Sequence, residues 1–156
     1  MTLRIDLLRH GIAGPSPAAG DAARALTAEG AAAVHRLGER LGLAGWRPGR
    51  AFSSPYLRAR DTAAIVLGAA NVPIAAGVMQ ELEPDCDPAD TVIALGAMAD
   101  GARHVLLVAH QPLLGRLATL WIGRPMSIAP GEFVGLEFDA APAPHAGRVI
   151  AHLPPA

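Results

Sequence analysis

RHVLLVAHQP, residues 103–112, sets the frame for reading the rest of the chain. Its first seven residues, 103–109, make the clearest strand of the sequence, and HQP ends it abruptly before a helix expected from about 112 to 122. The same strand-then-helix rhythm repeats on the N-terminal side. LRIDLL (3–8) reads as a first strand, and Pro15, Pro17 and Gly20 mark an irregular loop after it. Leu26, Val34, Leu37 and Leu41 form a helical stripe over roughly 26–43. Thr27 is its cap without a full capping box, since Gly30 stands where Glu or Gln would be needed, and Glu29 faces the helix dipole. RAFSSP (50–55) is a short strand entering a loop, 56–69 a helix and PIAAGV (73–78) a third short strand. The acidic loop 81–90 leads, through Asp87 or Pro88, into a helix over 89–98. After the central run, 132–138 and 147–153 read as two strands around a Pro-rich turn. The expected fold class is α/β, a three-layer α/β/α sandwich whose mainly parallel central sheet has an antiparallel edge.

Composition bounds the function. A chain of 156 residues is the length of one domain, taken as 1–156, and large enough to bury a substantial core. Hydrophobic residues make up 51%, yet no apolar run approaches the eighteen or so that span a bilayer. Arg4 and Asp6 interrupt the N-terminal stretch where a signal peptide needs an unbroken apolar region. The single cysteine, Cys86, forms no internal disulfide and fits a reducing compartment, so a cytoplasmic protein with no membrane association is expected. Net charge is −1 and no basic block exists, which argues against nucleic acid as a partner. All 13 basic residues are arginine, but abundant Ala and Gly point to genome base composition as the reason. Only the placement of particular arginines is therefore informative.

In open α/β sheets ligands bind beyond the carboxyl ends of the strands, and three charged groups fall there. Arg9 and His10 follow the first strand, Arg58 and Arg60 lie just after the second, and His110 follows the run 103–109. Guanidiniums make forked hydrogen bonds to phosphate oxygens, and histidine is both a nucleophile toward phosphorus and a proton carrier. Gly11 removes a side chain where a ligand would approach the backbone. No spacing of His, Cys and Asp resembles a metal-ligand set, and the arginines would repel a cation.

LLRHGIA (7–13) resembles the RHG signature of the histidine phosphatase (phosphoglycerate mutase-like) superfamily. SSPYLRARDTA is similar to that superfamily's second arginine motif and VAHQPLLG to its second-histidine motif, in the same order along the chain. The short length, with PYLRARDT, QELEPDCDP and HQPLLG, is most similar to bacterial phosphohistidine phosphatases of the SixA type. The resemblance spans residues 3 to about 122.

That resemblance implies a hydrolase in which His10 attacks phosphorus, forming a phosphohistidine that water hydrolyses to inorganic phosphate. Arg9, Arg58 and His110 would surround the phosphoryl oxygens, with His10 neutral and His110 protonated as a donor. No cofactor or metal is required. Glu81 falls where larger relatives carry an acid for the leaving alkoxide, and would act here as acid, as base or not at all. Arg24 lies where related short enzymes carry an arginine, and is a candidate phosphate or protein contact. The expected substrate is phosphohistidine in a protein such as a phosphotransfer domain, because 11–26 and 77–90 leave little room for a lid. A small-molecule phosphomonoesterase using the same site is the alternative, followed by a non-catalytic phosphate- or phosphoprotein-binding module. A monomer or weak dimer is expected.

The remaining candidates are read as structural. Arg60, about 200 degrees round a helix from Arg58, should face solvent, as should His35. His104 opens a strand, and His145 and His152 lie in the tail. Acidic neighbours should raise the Cys86 thiol pKa and disfavour a nucleophilic role.

Overall fold

The computed structural model describes residues 1–156. Four parallel strands, β1 (Leu3–Arg9), β2 (Arg50–Ser53), β3 (Gly77–Val78) and β4 (His104–Ala109), are joined by helices. These are α1 (Ala28–Leu43), α2 (Leu57–Ala69) and α3 (Pro88–Met98), while α4 (Leu113–Ile122) leads from β4 to the closing strands. β5 (Phe133–Phe138) pairs antiparallel with β1, and β6 (Arg148–Leu153) antiparallel with β5. The sheet order is β3-β2-β4-β1-β5-β6. The expected sandwich and its antiparallel edge are both present.

Strand alternation divides the core between the two faces of this sheet. Ile5, Leu7, Val105, Leu107 and Ala109 pack with α3 and α4 around Trp121, all buried. Leu8, Ala51, Leu106 and Val108 pack with α1 and α2 around Leu37, Ala63 and Val66. β4, buried on both faces, is apolar from Val105 to Ala109 for this reason.

Local chemistry sets the helix ends. The Thr27 hydroxyl accepts the Gly30 N–H at 2.9 Å and caps α1, as expected. Asp87 caps α3 through the Ala89 N–H at 2.9 Å, with Pro88 at the first helical position. Two expectations need correction. Leu26 is not helical but forms an isolated antiparallel bridge with Ala13, so α1 begins at Ala28. The strand expected over 73–78 is reduced to Gly77–Val78, because Pro73 has no N–H to give a ladder and β3 lies at the sheet edge.

One feature of β1 was hidden by its apolar composition. Asp6 is fully buried, and its carboxylate accepts from Arg4 Nε (2.8 Å) and Trp46 Nε1 (2.6 Å) and meets His104 Nε2 (2.6 Å). These partners offset the desolvation that would otherwise forbid a charge there. They also pin the loop after α1 to the centre of the sheet.

Candidate active site

β1, β2 and β4 are parallel neighbours, so their carboxyl ends open on one rim. Arg9–His10, Ser54 to Arg58, and His110 all emerge there, and the fold brings them together as one cage. His10, Arg58 and His110 are almost wholly buried. The two imidazole rings lie 5.1 Å apart between centroids, and the Tyr56 ring stands edge-on to His110 at 5.0 Å. The Arg58 guanidinium carbon lies 5.1 Å from the centre of the Tyr56 ring.

Hydrogen bonds determine the His10 tautomer. Nδ1 is 2.7 Å from the Gly11 carbonyl, which only accepts, so Nδ1 carries the proton. Nε2 then holds a lone pair, and Arg58 Nε donates to it at 3.3 Å. Burial, with Arg58, Arg9 and Arg24 nearby, lowers the His10 pKa to about 4 against the opposing Gly11 bond. The ring is therefore neutral near pH 7, with its Nε2 lone pair in the cage.

His110 departs from expectation. Burial above all, then His10 and Arg58, pushes it down to about 3, so it is neutral rather than protonated. Its Nε2 lies 2.8 Å from Ser54 Oγ. That hydroxyl accepts the Tyr56 N–H at 3.2 Å and has both a proton to give Nε2 and a second lone pair. When Ser54 donates to Nε2, the ring proton sits on Nδ1, and donation from His110 needs no positive charge. His110 Nδ1 and Arg9 Nε are buried without a hydrogen-bond partner. Two orphaned polar atoms gathered at one site mark it as a place built to meet an acceptor. Burial and Arg58 also lower the Arg9 pKa, while its Nη1 donates to the Ile128 carbonyl at 3.1 Å.

Gly11 is explained differently from the expectation. A Cβ there would meet Val34 Cγ2 at 2.9 Å and the Gly30 carbonyl oxygen at 3.0 Å, so its smallness serves the approach of α1 rather than of a ligand. Thr62 secures the same turn. Its hydroxyl accepts the Gly11 N–H at 3.1 Å and donates to the Arg58 carbonyl one turn earlier in α2 at 2.7 Å, tying the turn after His10 to the helix that carries Arg58.

Arg24 reaches the cage edge through Asp21, a residue the sequence reading passed over. Asp21 binds both Arg24 and Arg58. The only forewarning was the three-residue spacing of Asp21 and Arg24 in DAAR. Ser54 and Tyr56 were within the quoted motif but carried no assigned task. Glu81 lies in a single 3-10 turn, Gln80–Leu82, and its carbonyl accepts from Thr91 Oγ1 at 2.7 Å. Its carboxylate makes no hydrogen bond or ion pair with the cage. Arg60 and His35 are exposed, as expected. Burial, then nearby Glu83, Glu81 and Asp90, raises the Cys86 thiol.

No cluster of three or more His, Cys, Asp or Glu side chains could hold a metal ion. No helix is long and apolar enough to cross a membrane. A cavity of about 860 Å³ opens beside the cage, lined in part by Gln111, Pro112, Arg116 and Met126. In the cage a neutral imidazole lone pair faces guanidiniums able to bind an anionic electrophile.

Comparison with known proteins identifies the family. The sequence model of the histidine phosphatase superfamily (branch 1) matches residues 5–82. Phosphohistidine phosphatase SixA of Escherichia coli K12 is 32% identical over 137 residues, covering 83% of this chain and 76% of that protein. The solved structure of the protein histidine phosphatase SixA complexed with tungstate aligns with a TM-score of 0.87 at 26% identity, over 98% of this chain and 97% of that one. A mycobacterial glucosyl-3-phosphoglycerate phosphatase shares the fold at a TM-score of 0.71 and 18% identity, over 97% and 98% of the two chains. The protein therefore belongs to the histidine phosphatase superfamily and is a SixA-like hydrolase.

Proposed function

We propose that the cage removes the phosphoryl group from phosphohistidine in a protein substrate, by way of a covalent phosphohistidine on His10. The observation that carries this reading is the fixed His10 tautomer, with Nδ1–H on the Gly11 carbonyl and the Nε2 lone pair beside Arg58. The hydrogen bond from Arg58 Nε to Nε2 gives way, and the freed Nε2 lone pair attacks phosphorus in line. As the new N–P bond forms, the bond to the substrate imidazole breaks and its electron pair leaves on that nitrogen, which takes a proton from solvent. Water then attacks the phosphohistidine, the N–P bond returns its pair to Nε2, and inorganic phosphate leaves.

Arg9, Arg58 and the His110 Nδ1–H stabilise the charge on the phosphoryl oxygens, fixed in place before the reaction begins. Arg24 supplies a further cation at the edge. A substrate imidazole leaves as a far better leaving group than an alkoxide, which suits a cage that Glu81 does not touch. The SixA relative, named for phosphohistidine, supports the same substrate class.

The test is turnover, side by side, of a phosphohistidine-bearing protein, a phosphohistidine peptide and a panel of sugar and nucleotide monophosphates. The phosphohistidine protein should have the highest kcat/KM, with an acid-labile label on His10 in rapid-quench samples. A strong preference for the monophosphates, accompanied by loss of activity in Glu81→Gln, would replace this substrate with a small phosphomonoester. Binding of phosphate without turnover of any member would leave a binding module.

A further inference from the structure

Arg58 has three directions of hydrogen bonding, and two of them are spent on one acidic residue. Nη1 donates to the Asp21 carbonyl at 2.8 Å and Nη2 to Asp21 Oδ2 at 3.2 Å, while Nε faces His10. The other carboxylate oxygen, Oδ1, accepts from Arg24 Nη1 at 3.2 Å, and Arg24 Nε is held by the Gly14 carbonyl at 2.8 Å. Gly20, at φ 103°, turns the chain so that Asp21–Ala23 forms a single 3-10 turn against α2. One carboxylate thus bridges two guanidiniums, an oxygen on each. A phosphoryl group bound by the same pair would present its oxygens in the same way.

The two sides of this contact differ in freedom. The Arg58 side chain is 5% exposed, whereas that of Asp21 is 51% exposed. The arginine is fixed, and the half-solvated carboxylate can swing outward at little cost. Burial pushes the Asp21 carboxyl up, but Arg24 and Arg58 outweigh it and hold the group below its ordinary range, so it carries its charge at neutral pH.

We propose that Asp21 is an internal anion that occupies oxyanion positions on Arg58 and Arg24 and sets the specificity of the site. A phosphoryl dianion displaces the single charge of Asp21, which then stands at the mouth of the cage. There it disfavours substrates with a second negative charge near the phosphoryl group and hastens release of product phosphate. A phosphoimidazole has no such second charge. This inference rests on the cage being the phosphoryl site, and it narrows the proposed substrate class to those with neutral or cationic surroundings.

The test is Asp21→Asn, which keeps the shape and an acceptor while removing the charge. Calorimetric binding of inorganic phosphate should tighten about tenfold, less so at 1 M salt, as expected for loss of a competing charge. The KM for a carboxylated alkyl phosphate should fall more than that for the plain alkyl phosphate. Asp21→Glu, which keeps the charge, should not tighten phosphate binding as the charge-removing variants do, and Asp21→Ser repeats the experiment should the Asn variant fold poorly. Unchanged or weakened phosphate binding in the charge-removing variants would overturn the proposal and leave Asp21 as a prop for Arg58. Phosphate binding is read without turnover, so the proposed reaction and this role of Asp21 stand or fall separately.

Discussion

Arg58 Nε points at His10 Nε2 from 3.3 Å, while the far side of the same imidazole is tied through Nδ1 to the Gly11 carbonyl at 2.7 Å. The ring is held at both nitrogens, so its orientation is fixed and its lone pair points at Arg58. That places a cation directly against the imidazole nitrogen used in the proposed reaction.

His10→Ala should lower kcat by a factor on the order of 10³ or more, since no neighbouring group can take over as nucleophile. Phosphate binding should persist within about tenfold through Arg9, Arg58 and His110. Single-turnover kinetics and calorimetry on one preparation check both halves of the expectation.

Arg58→Lys should fail to restore activity, with kcat down on the order of 10² to 10³. The guanidinium uses Nε on His10 and both Nη groups on Asp21, a spread of donors that a single ammonium cannot reproduce. Steady-state kinetics on Arg58→Lys and Arg58→Ala should give nearly equal losses; a substantial recovery with lysine would mean that charge alone suffices.

Thr62→Val should destabilise the fold by about 1–3 kcal/mol, because it strands the buried Gly11 N–H without an acceptor. Thr62→Ser should recover most of that. Urea unfolding measures the loss, and a parallel fall in kcat is expected because this hydroxyl ties the turn after His10 to α2, which carries Arg58.

Acid should destabilise the protein earlier than its carboxylates alone require. His10 and His110 have pKa values lowered from 6.5 to about 4 and about 3. Between about pH 6.5 and those values the unfolded chain binds protons that the folded chain refuses. Stability therefore rises with pH across that window and is lost as pH falls through it. Each histidine contributes a slope of up to about 1.4 kcal/mol per pH unit there. Urea midpoints at pH 7, 6 and 5 should fall steadily in the native protein and flatten in the double variant His10→Ala/His110→Ala.

The order of elements was legible because strand and helix periodicities are local properties of the chain. β4 was read from 103–109 and appears at His104–Ala109; Thr27 and Asp87 cap the helices they were placed before. The residues around His10 were legible for a related reason: Arg9, Arg58 and His110 fall at strand ends, and parallel β1, β2 and β4 carry those ends to one rim. Asp6 was not legible as a buried charge, because its partners Trp46 and His104 lie 40 and 98 residues away. Gly11 was read as room for a ligand, whereas the occupant of that room is α1, which only packing brings near.

Amino-acid order by itself determined the alternation of strands and helices and the residue types delivered at the strand ends, since periodicity, caps and breakers act over a few residues. Charge states and hydrogen-bond allegiances were decided only by the tertiary structure. Burial beside other cations keeps His110 neutral, and the close approach of the Asp21–Ala23 turn to α2 gives Arg58 a carboxylate partner. Both depend on desolvation and on distances between groups far apart in the chain, and neither quantity exists until the sheet has brought them together.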